Sequence, residues 1–165
     1  MIRIRPAKPS DIMGIQEIER SYYEGFSCPD SIMESWISTG RFLLTEESGK
    51  ILGFMFFEYV NKAEALPFIH KPLGNSRGKY CYISEVGTSG RPGVLEGLME
   101  SVIRKSKGNG CNVVIWLTGS KSRHDRIESD FLLKESFMKI SNVRHWEAYP
   151  GHFVHDHHIW MKKIS

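Results

Sequence analysis

Apolar and polar residues alternate in Ile2-Arg3-Ile4-Arg5 and the run stops at Pro6, a period-two pattern that predicts a short strand. Pro9-Ser10-Asp11 offers a helix cap, and Ile12, Ile15, Ile18 and Tyr22 follow at helical spacing. A second short helix is expected after Pro29, capped by Asp30 or Ser31, with Ile32, Met33, Trp36 and Ile37 on one side. Phe42 to Thr45 and Ile51 to Val60, joined through Glu46-Glu47-Ser48-Gly49, predict an antiparallel hairpin. Asn61 to Lys79 shows no sustained period and holds Pro67, Pro72, Gly74 and Gly78. A loop of that length inside a compact domain is often functional, which makes it a candidate substrate-side loop.

Tyr80 to Val86 resumes as a strand. After Gly87-Thr88-Ser89-Gly90-Arg91-Pro92-Gly93, the positions Val94, Leu95, Leu98, Met99, Val102 and Ile103 make an apolar helical stripe that Gly108-Asn109-Gly110 ends. Asn112 to Leu117 is almost wholly apolar, which suits a strand buried on both faces in a parallel arrangement. Ser122-x-x-Asp125 resembles a capping box that opens a helix with Ile127, Phe131 and Leu132 facing inward. Two further strands are expected at Met138 to His145 and Val154 to Lys163. The order defines a mixed α/β domain with one clear parallel crossover, from Tyr80 to Leu117, and a glycine-rich turn where its strand hands over to its helix.

Composition narrows the function. The 165 residues fit a single domain spanning 1–165, with ordinary hydrophobic (41%) and charged (25%) fractions for a globular chain. A net charge of +3 leaves Lys and Arg nearly matched by Asp and Glu, too mild for a nucleic-acid binder. The longest apolar runs fall far short of the ~20 residues that span a bilayer, and the N-terminus has no apolar signal core. Three cysteines, Cys28, Cys81 and Cys111, are odd in number and lack a Cys-x-x-Cys pair, so a reducing cytoplasm is expected and a structural zinc site is not. Cys81 and Cys111 lie in apolar strands and read as small core residues rather than nucleophiles.

A helix N-terminus exposes unpaired N–H groups and partial positive charge, so a preceding glycine-rich loop brings backbone close to a phosphate. Thr88-Ser89-Gly90-Arg91-Pro92-Gly93-Val94 has this form and adds an arginine able to pair with phosphate oxygens. It carries neither Gly-x-Gly-x-x-Gly nor a Gly-Lys-Ser/Thr ending, so it matches neither a dinucleotide fold nor a P-loop. Its bland account is a sharp strand-to-helix turn.

With Ile4-Arg5-Pro6-Ala7-Lys8-Pro9-Ser10-Asp11 at the start, Gly49-x-Ile51-x-Gly53-Phe54 in the hairpin, Ile83-Ser84-Glu85-Val86 before the glycine turn, Leu98-Met99 after it, and Ile159-Trp160-Met161-Lys162-Lys163 near the end, the chain resembles the GNAT-type N-acetyltransferase superfamily over nearly its whole length. The resemblance implies a single-domain acyl-CoA N-acyltransferase fold, with a mixed central sheet of about seven strands flanked by about four helices. It implies acetyl-CoA as co-substrate, no metal, and an amine acceptor attacking the thioester directly. The strand before the turn would part from its parallel neighbour. Glu85, Val86 and Thr88 would line the thioester, with a backbone N–H near Val86 polarising its carbonyl and Glu85 taking the amine's proton. Gly90, Arg91, Pro92, Gly93, Val94 and Leu95 would hold the diphosphate, and Asp125 stands where an asparagine often contacts the cofactor.

The sequence departs from the family pattern at named positions. The phosphate loop is one residue short, with Leu95 where a second small residue is usual and Glu96 adding negative charge beside it. Leu132 stands where a tyrosine often protonates the departing thiolate, and Ser136 replaces a glycine. Tyr80, Tyr82, His124, His145 and Tyr149 are candidates for that missing acid. These departures sustain a second reading, a non-catalytic domain of the same fold that binds CoA, a peptide or another protein. Homodimerisation is left open. Arg123 and Arg126 suit a solvated helix start, or contact with the phosphorylated adenosine end of CoA. In the tail, His152, His155, Asp156, His157 and His158 invite a metal reading, but successive strand residues point to opposite faces, which favours surface histidines.

Overall fold

The computed structural model describes residues 2–61, 66, 69, 79–149 and 152–164, and of residues 144–149 and 152–155 the backbone alone. Seven strands form one sheet in the order β1-β2-β3-β4-β5-β7-β6: β1 Arg3–Pro6, β2 Phe42–Glu47, β3 Lys50–Val60, β4 Lys79–Thr88, β5 Cys111–Thr118, β6 Met138–Tyr149 and β7 His152–Lys163. Four helices accompany them: α1 Ile12–Tyr22, α2 Asp30–Ser38, α3 Val94–Gly108 and α4 Arg123–Lys134. The chain divides into two compact units, Met1–Glu58 with Ser84–Arg104 and Tyr59–Ile83 with Lys105–Ser165, so the division falls inside β4. The candidate loop of residues 61–79 lies almost wholly outside the described residues.

In the first unit, β1 and β2 pair antiparallel from Arg3↔Glu46 to Pro6↔Leu43, and β2 pairs with β3 from Phe42↔Phe56 to Glu47↔Lys50. The hairpin turn is tighter than the sequence suggests. Ser48 and Gly49 alone make it, both at positive φ, as a two-residue turn matching strand twist requires. Burial of Ile12, Ile15 and Ile18 on α1, Met33 and Ile37 on α2 and Phe42, Leu44, Phe54 and Phe56 on the sheet makes one apolar cluster. Phe42 stacks between Phe54 (5.3 Å) and Phe56 (5.8 Å), and each buried aromatic contributes roughly 1.5–3 kcal/mol.

Two helix starts differ from expectation. Pro29, not Asp30 or Ser31, is the N-cap of α2; Asp30 opens the first turn and accepts from Gln16 Nε2 at 2.6 Å. Asp11 precedes α1 without capping it through its side chain. Its carboxylate instead accepts from Lys8 N–H (2.7 Å) and pairs with Arg5, which also holds Glu46, so one guanidinium ties β1 to β2 and to the α1 entry. Those bonds hold the Asp11 carboxyl below its usual range.

In the second unit, β4 and β5 run parallel from Lys79↔Cys111 to Ile83↔Trp116, while β5 and β7 run antiparallel from Val113↔Lys163 to Thr118↔His158. The parallel surroundings expected for residues 112–117 are therefore present on one side only. Its burial is as expected: Val113 to Trp116 are all within 3% of full burial. Tyr80, Tyr82, Val113, Ile115 and Ile159 belong to a second apolar cluster. The α4 capping box forms as read: Ser122 Oγ accepts from Asp125 N–H at 3.2 Å and Asp125 accepts from Ser122 N–H at 2.9 Å. Ser136 follows α4 at φ 61°, with Phe137 N–H bonded to Leu132 O at 2.9 Å, a left-handed closing position that explains why the family pattern has glycine there.

Candidate active site

The end of β4 and the turn after it, all in the first unit, carry the expected chemistry. β3 approaches this turn closely because Gly53 has no side chain: a Cβ there would lie 2.8 Å from Gly87 O and 2.6 Å from Val94 Cγ1. Gly87 is likewise pressed against the Phe54 ring, which would stand 2.5 Å from its Cβ. Ser89 N–H then reaches back to Leu52 O at 2.8 Å, and Thr88 Oγ1 accepts from Gly90 N–H at 3.2 Å. Gly90 and Gly93 both take φ 83°, and a Cβ on either would meet nothing within 4 Å, so the outer side of the loop is open.

At the start of α3, Gly97 N–H bonds Gly93 O at 3.0 Å and Val94 N–H bonds Arg91 O at 3.4 Å. Leu95, which the sequence places where a small residue is usual, is 7% exposed, buried like its neighbours Val94 and Leu98. Its bulk is therefore turned away from the open side of the turn. Glu96 sits in the first turn, where a negative charge favours the helix dipole. Arg91 is exposed and ion-paired with Glu47 at the hairpin end, which raises the guanidinium's pKa and lowers the carboxyl's. An anion arriving at this loop competes with Glu47 for Arg91.

One turn upstream on β4, Glu85 is half-buried and its pKa is pushed up to about 8. Removal from water is the main cause, a hydrogen bond from Tyr23 opposes it, and the Glu19 charge adds to it. Glu19 lies on the core face of α1, fully buried; its Oε2 accepts from Cys28 N–H at 2.9 Å, and its Oε1 has no hydrogen-bond partner among the described residues. Burial raises its pKa to about 7. The Val86 amide, expected to face a thioester, meets the Tyr23 hydroxyl: the hydroxyl donates to Val86 O, and Val86 N–H approaches the same oxygen at 3.4 Å. A contact of 3.4 Å is far longer than the ~2.9 Å typical of N–H···O bonds, so an incoming carbonyl oxygen displaces it at little cost.

The second unit holds the remaining candidates. The Asp125 carboxylate accepts from Gly119 N–H (2.8 Å), Lys121 N–H (3.2 Å), Ser122 N–H (2.9 Å) and Ser122 Oγ (2.7 Å). Burial would raise its pKa, and these bonds outweigh it to leave the group below its ordinary value. Asp125 thus braces the loop between β5 and α4. His124 Nδ1 lies 2.9 Å from Ser122 Oγ, and Tyr80 and Tyr82 are enclosed among aliphatic residues. The side chains of His145, Tyr149, His152 and His155 lie outside the described residues. Arg123 and Arg126 are exposed on α4.

Cys28, Cys81 and Cys111 are buried thiols outside any disulfide among the described residues, and burial pushes the Cys111 thiol up. Among the described residues no group of three metal-ligating side chains converges; His158 Nδ1 lies 2.7 Å from Asn142 Oδ1, and Asp156 takes φ 51° within β7. Among them too, no helix is long and apolar enough to cross a membrane.

Tyr23, Glu19 and Glu47 were not singled out by the sequence. Glu19 interrupts the apolar stripe of α1, the one signal that marks it; nothing in the spacing links Tyr23 to a residue 63 positions away.

No family model matches the sequence, and no curated protein does. Solved structures do match. NAA60 from Arabidopsis thaliana, in complex with acetyl-CoA, superposes with a TM-score of 0.73 at 19% identity, covering 99% of each chain. An N-acetyltransferase from Staphylococcus aureus gives 0.72 at 14% identity over 100% of this chain and 99% of that one. Ard1 from Thermoplasma volcanium gives 0.74 at 12% identity over 98% and 97%. The chain has the fold of the GNAT acetyltransferases, as its sequence landmarks implied.

Proposed function

We propose that this protein is an acyl-CoA-dependent N-acyltransferase that moves an acetyl group from acetyl-CoA to a primary amine, on a small molecule or a peptide. The observation that carries the reading is the run from Glu85 to Gly93, which presents within nine residues a carboxylate of raised proton affinity, a lightly engaged backbone amide and a glycine-opened helix start. The residues present suit the co-substrate. The open outer faces of Gly90 and Gly93, the buried Leu95 and the exposed Arg91 give a diphosphate room against the backbone and, once Arg91 leaves Glu47, a guanidinium to pair with.

In this reading Arg91 leaves Glu47 for the diphosphate, and the loop from Gly90 to Leu95 with Pro92 and Val94 seats it. Val86 N–H orients and polarises the thioester carbonyl, Thr88 braces the turn through Gly90, and Asp125 holds the shape of its own loop. Glu85 takes the proton that the attacking nitrogen loses. An amine is mostly protonated at neutral pH, so a base whose pKa lies near 8 is matched to the task. The structure of the similar NAA60 carries acetyl-CoA, which supports that choice of donor. The reading also takes residues 1–165 as one domain working in the cytoplasm without metal.

Leu132 and the Arg91–Glu47 pair favour the rival, a non-catalytic domain of this fold that binds CoA or a protein or peptide partner. Acetyl-CoA titration by calorimetry with thioester turnover over a panel of amines and peptide N-termini separates them. Binding with turnover is expected; binding without turnover on every acceptor supports the rival, and no binding at millimolar acetyl-CoA overturns both CoA-based readings.

A further inference from the structure

Tyr23 stands at the end of α1 on a rigid turn. Its N–H donates to Glu19 O at 2.7 Å, Gly25 N–H donates to Arg20 O at 2.7 Å, and Glu24 and Gly25 both take positive φ. Its ring meets Tyr22 edge-on at 5.0 Å. This framework delivers one hydroxyl, from a half-buried side chain, to the two residues of β4 on which the chemistry of the proposed site depends. It donates to Val86 O, lies 3.4 Å from Val86 N–H, and is hydrogen-bonded to the Glu85 carboxylate.

A phenol has a single proton, and here two acceptors compete for it. With Glu85 ionised, the O–H turns to the carboxylate; with Glu85 protonated, the carboxyl donates to Tyr23 Oη and the phenol O–H points to Val86 O. The hydroxyl is therefore wired to exchange a proton with Glu85 in either direction, at the amide assigned to the thioester. Leu132, where the family pattern has an acid, is fully buried and offers no proton.

Resting on the acetyl-transfer reading, we propose that Tyr23 is the catalytic acid of this protein, giving its phenolic proton to the departing sulfur and regaining one from Glu85. The nitrogen lone pair forms the C–N bond while the C–S pair leaves on sulfur. Glu85 takes the proton lost by nitrogen, Tyr23 protonates sulfur, and the Glu85 proton passes to Tyr23 Oη. Amide and free thiol result, both side chains return to their starting forms, and no other reactant is consumed.

The test compares wild type, Tyr23→Phe, Glu85→Gln and the double variant for acetyl-CoA affinity by calorimetry and for kcat and KM across the amine panel. Tyr23→Phe is expected to keep affinity within about threefold while kcat falls about 100-fold, the usual share of a general acid. The double variant is expected to lose little beyond the worse single one, since the two groups act as a unit. As a readout that does not need Phe to be tolerated, site-specific fluorotyrosine at position 23, with its lower phenol pKa, is expected to move the alkaline limb of kcat to lower pH. Wild type that neither binds nor turns over acetyl-CoA overturns the acetyl-transfer reading and this role with it. Wild type that turns over while Tyr23→Phe keeps kcat within twofold, a multiplicative loss in the double variant, or an unmoved alkaline limb overturns the role of Tyr23 alone.

Discussion

Replacing Glu85 by Gln removes one titrating group, and its effect on stability against pH follows from the burial of that group. The carboxyl titrates near 4.5 when free and near 8 in the folded protein. Between those values the folded chain keeps a proton that the unfolded chain has lost, so unfolding releases it. Stability then falls as pH rises through this window, by about 1.4 kcal/mol per unit, and levels off above pH 8. The difference of 8 − 4.5 = 3.5 units corresponds to about 5 kcal/mol. Glu85 is only half-buried, which screens part of the penalty, and Glu19 titrates in both proteins, so wild type is expected to lose about 2–5 kcal/mol more than Glu85→Gln between pH 5 and pH 9. Glu85→Gln keeps that share at every pH.

Urea denaturation of both proteins at half-unit steps from pH 5 to 9.5 measures the difference directly. Carbon-13 NMR of the carboxyl signal missing from the Glu85→Gln spectrum gives the midpoint itself. Curves that stay parallel to within about 1 kcal/mol over the whole range, or a midpoint below about pH 6, refute the burial argument and with it the case for Glu85 as a base tuned to amines. The same titration sets activity with the opposite sign. The base works only when ionised, so kcat at saturating amine should climb about tenfold per unit below pH 8 and flatten above it, up to the alkaline limb where Tyr23 loses its proton. Protein least stable where it is most active is the signature of a charge forced into a site that disfavours it.

Further outcomes are expected from the elements around the site. Arg91→Glu should weaken acetyl-CoA binding at least tenfold, while Glu47→Gln should tighten it severalfold by freeing Arg91; calorimetric titration checks both, and unchanged affinity in Arg91→Glu places the diphosphate elsewhere. Saturating acetyl-CoA at 100 times its dissociation constant should stabilise the fold by about 2.7 kcal/mol, read as a rise in Tm that grows with ligand excess. Gly53→Ala should cost about 1–3 kcal/mol in urea denaturation and lower acetyl-CoA affinity, because its Cβ would lie 2.8 Å from the Gly87 carbonyl and must push the β4 end outward. Ser136→Gly should gain about 0.5 kcal/mol by relieving the φ of 61° after α4, the greater freedom of unfolded glycine offsetting part of the relief.

The elements were legible in the sequence wherever burial repeats with a period. The stripes of α1, α3 and α4, the apolar strand Cys111–Thr118 and the Ser122–Asp125 box are all local patterns, and each formed within a few residues of its predicted place. What the pattern could not hold was partner identity across distance. The one-sided parallel environment of β5 depends on β7, some forty residues later. The inward turn of Leu95 depends on which side of α3's first turn meets the core, a rotation that spacing alone leaves undetermined at a helix start.

The site divides along the same line. Glu85 to Val94 is contiguous and could be read as a unit, whereas the groups that set its behaviour are not: Glu47 on a hairpin turn claims Arg91, and Glu19 and Tyr23 on α1 claim Glu85 and Val86. Each of these is a charged or polar residue whose type is unremarkable at its own position. A carboxylate on the core face of a helix is the exception, since Glu19 falls on the stripe of Ile12, Ile15, Ile18 and Tyr22 where an apolar residue would add stability. Such a break in a local rule costs free energy unless something compensates, and at Glu19 the compensation is partial: one oxygen is bonded to Cys28 N–H, and the other has no hydrogen-bond partner among the described residues. The cost is paid next to Glu85, whose proton affinity Glu19 raises, so the local misfit on α1 and the tuned carboxylate on β4 are two sides of one electrostatic arrangement.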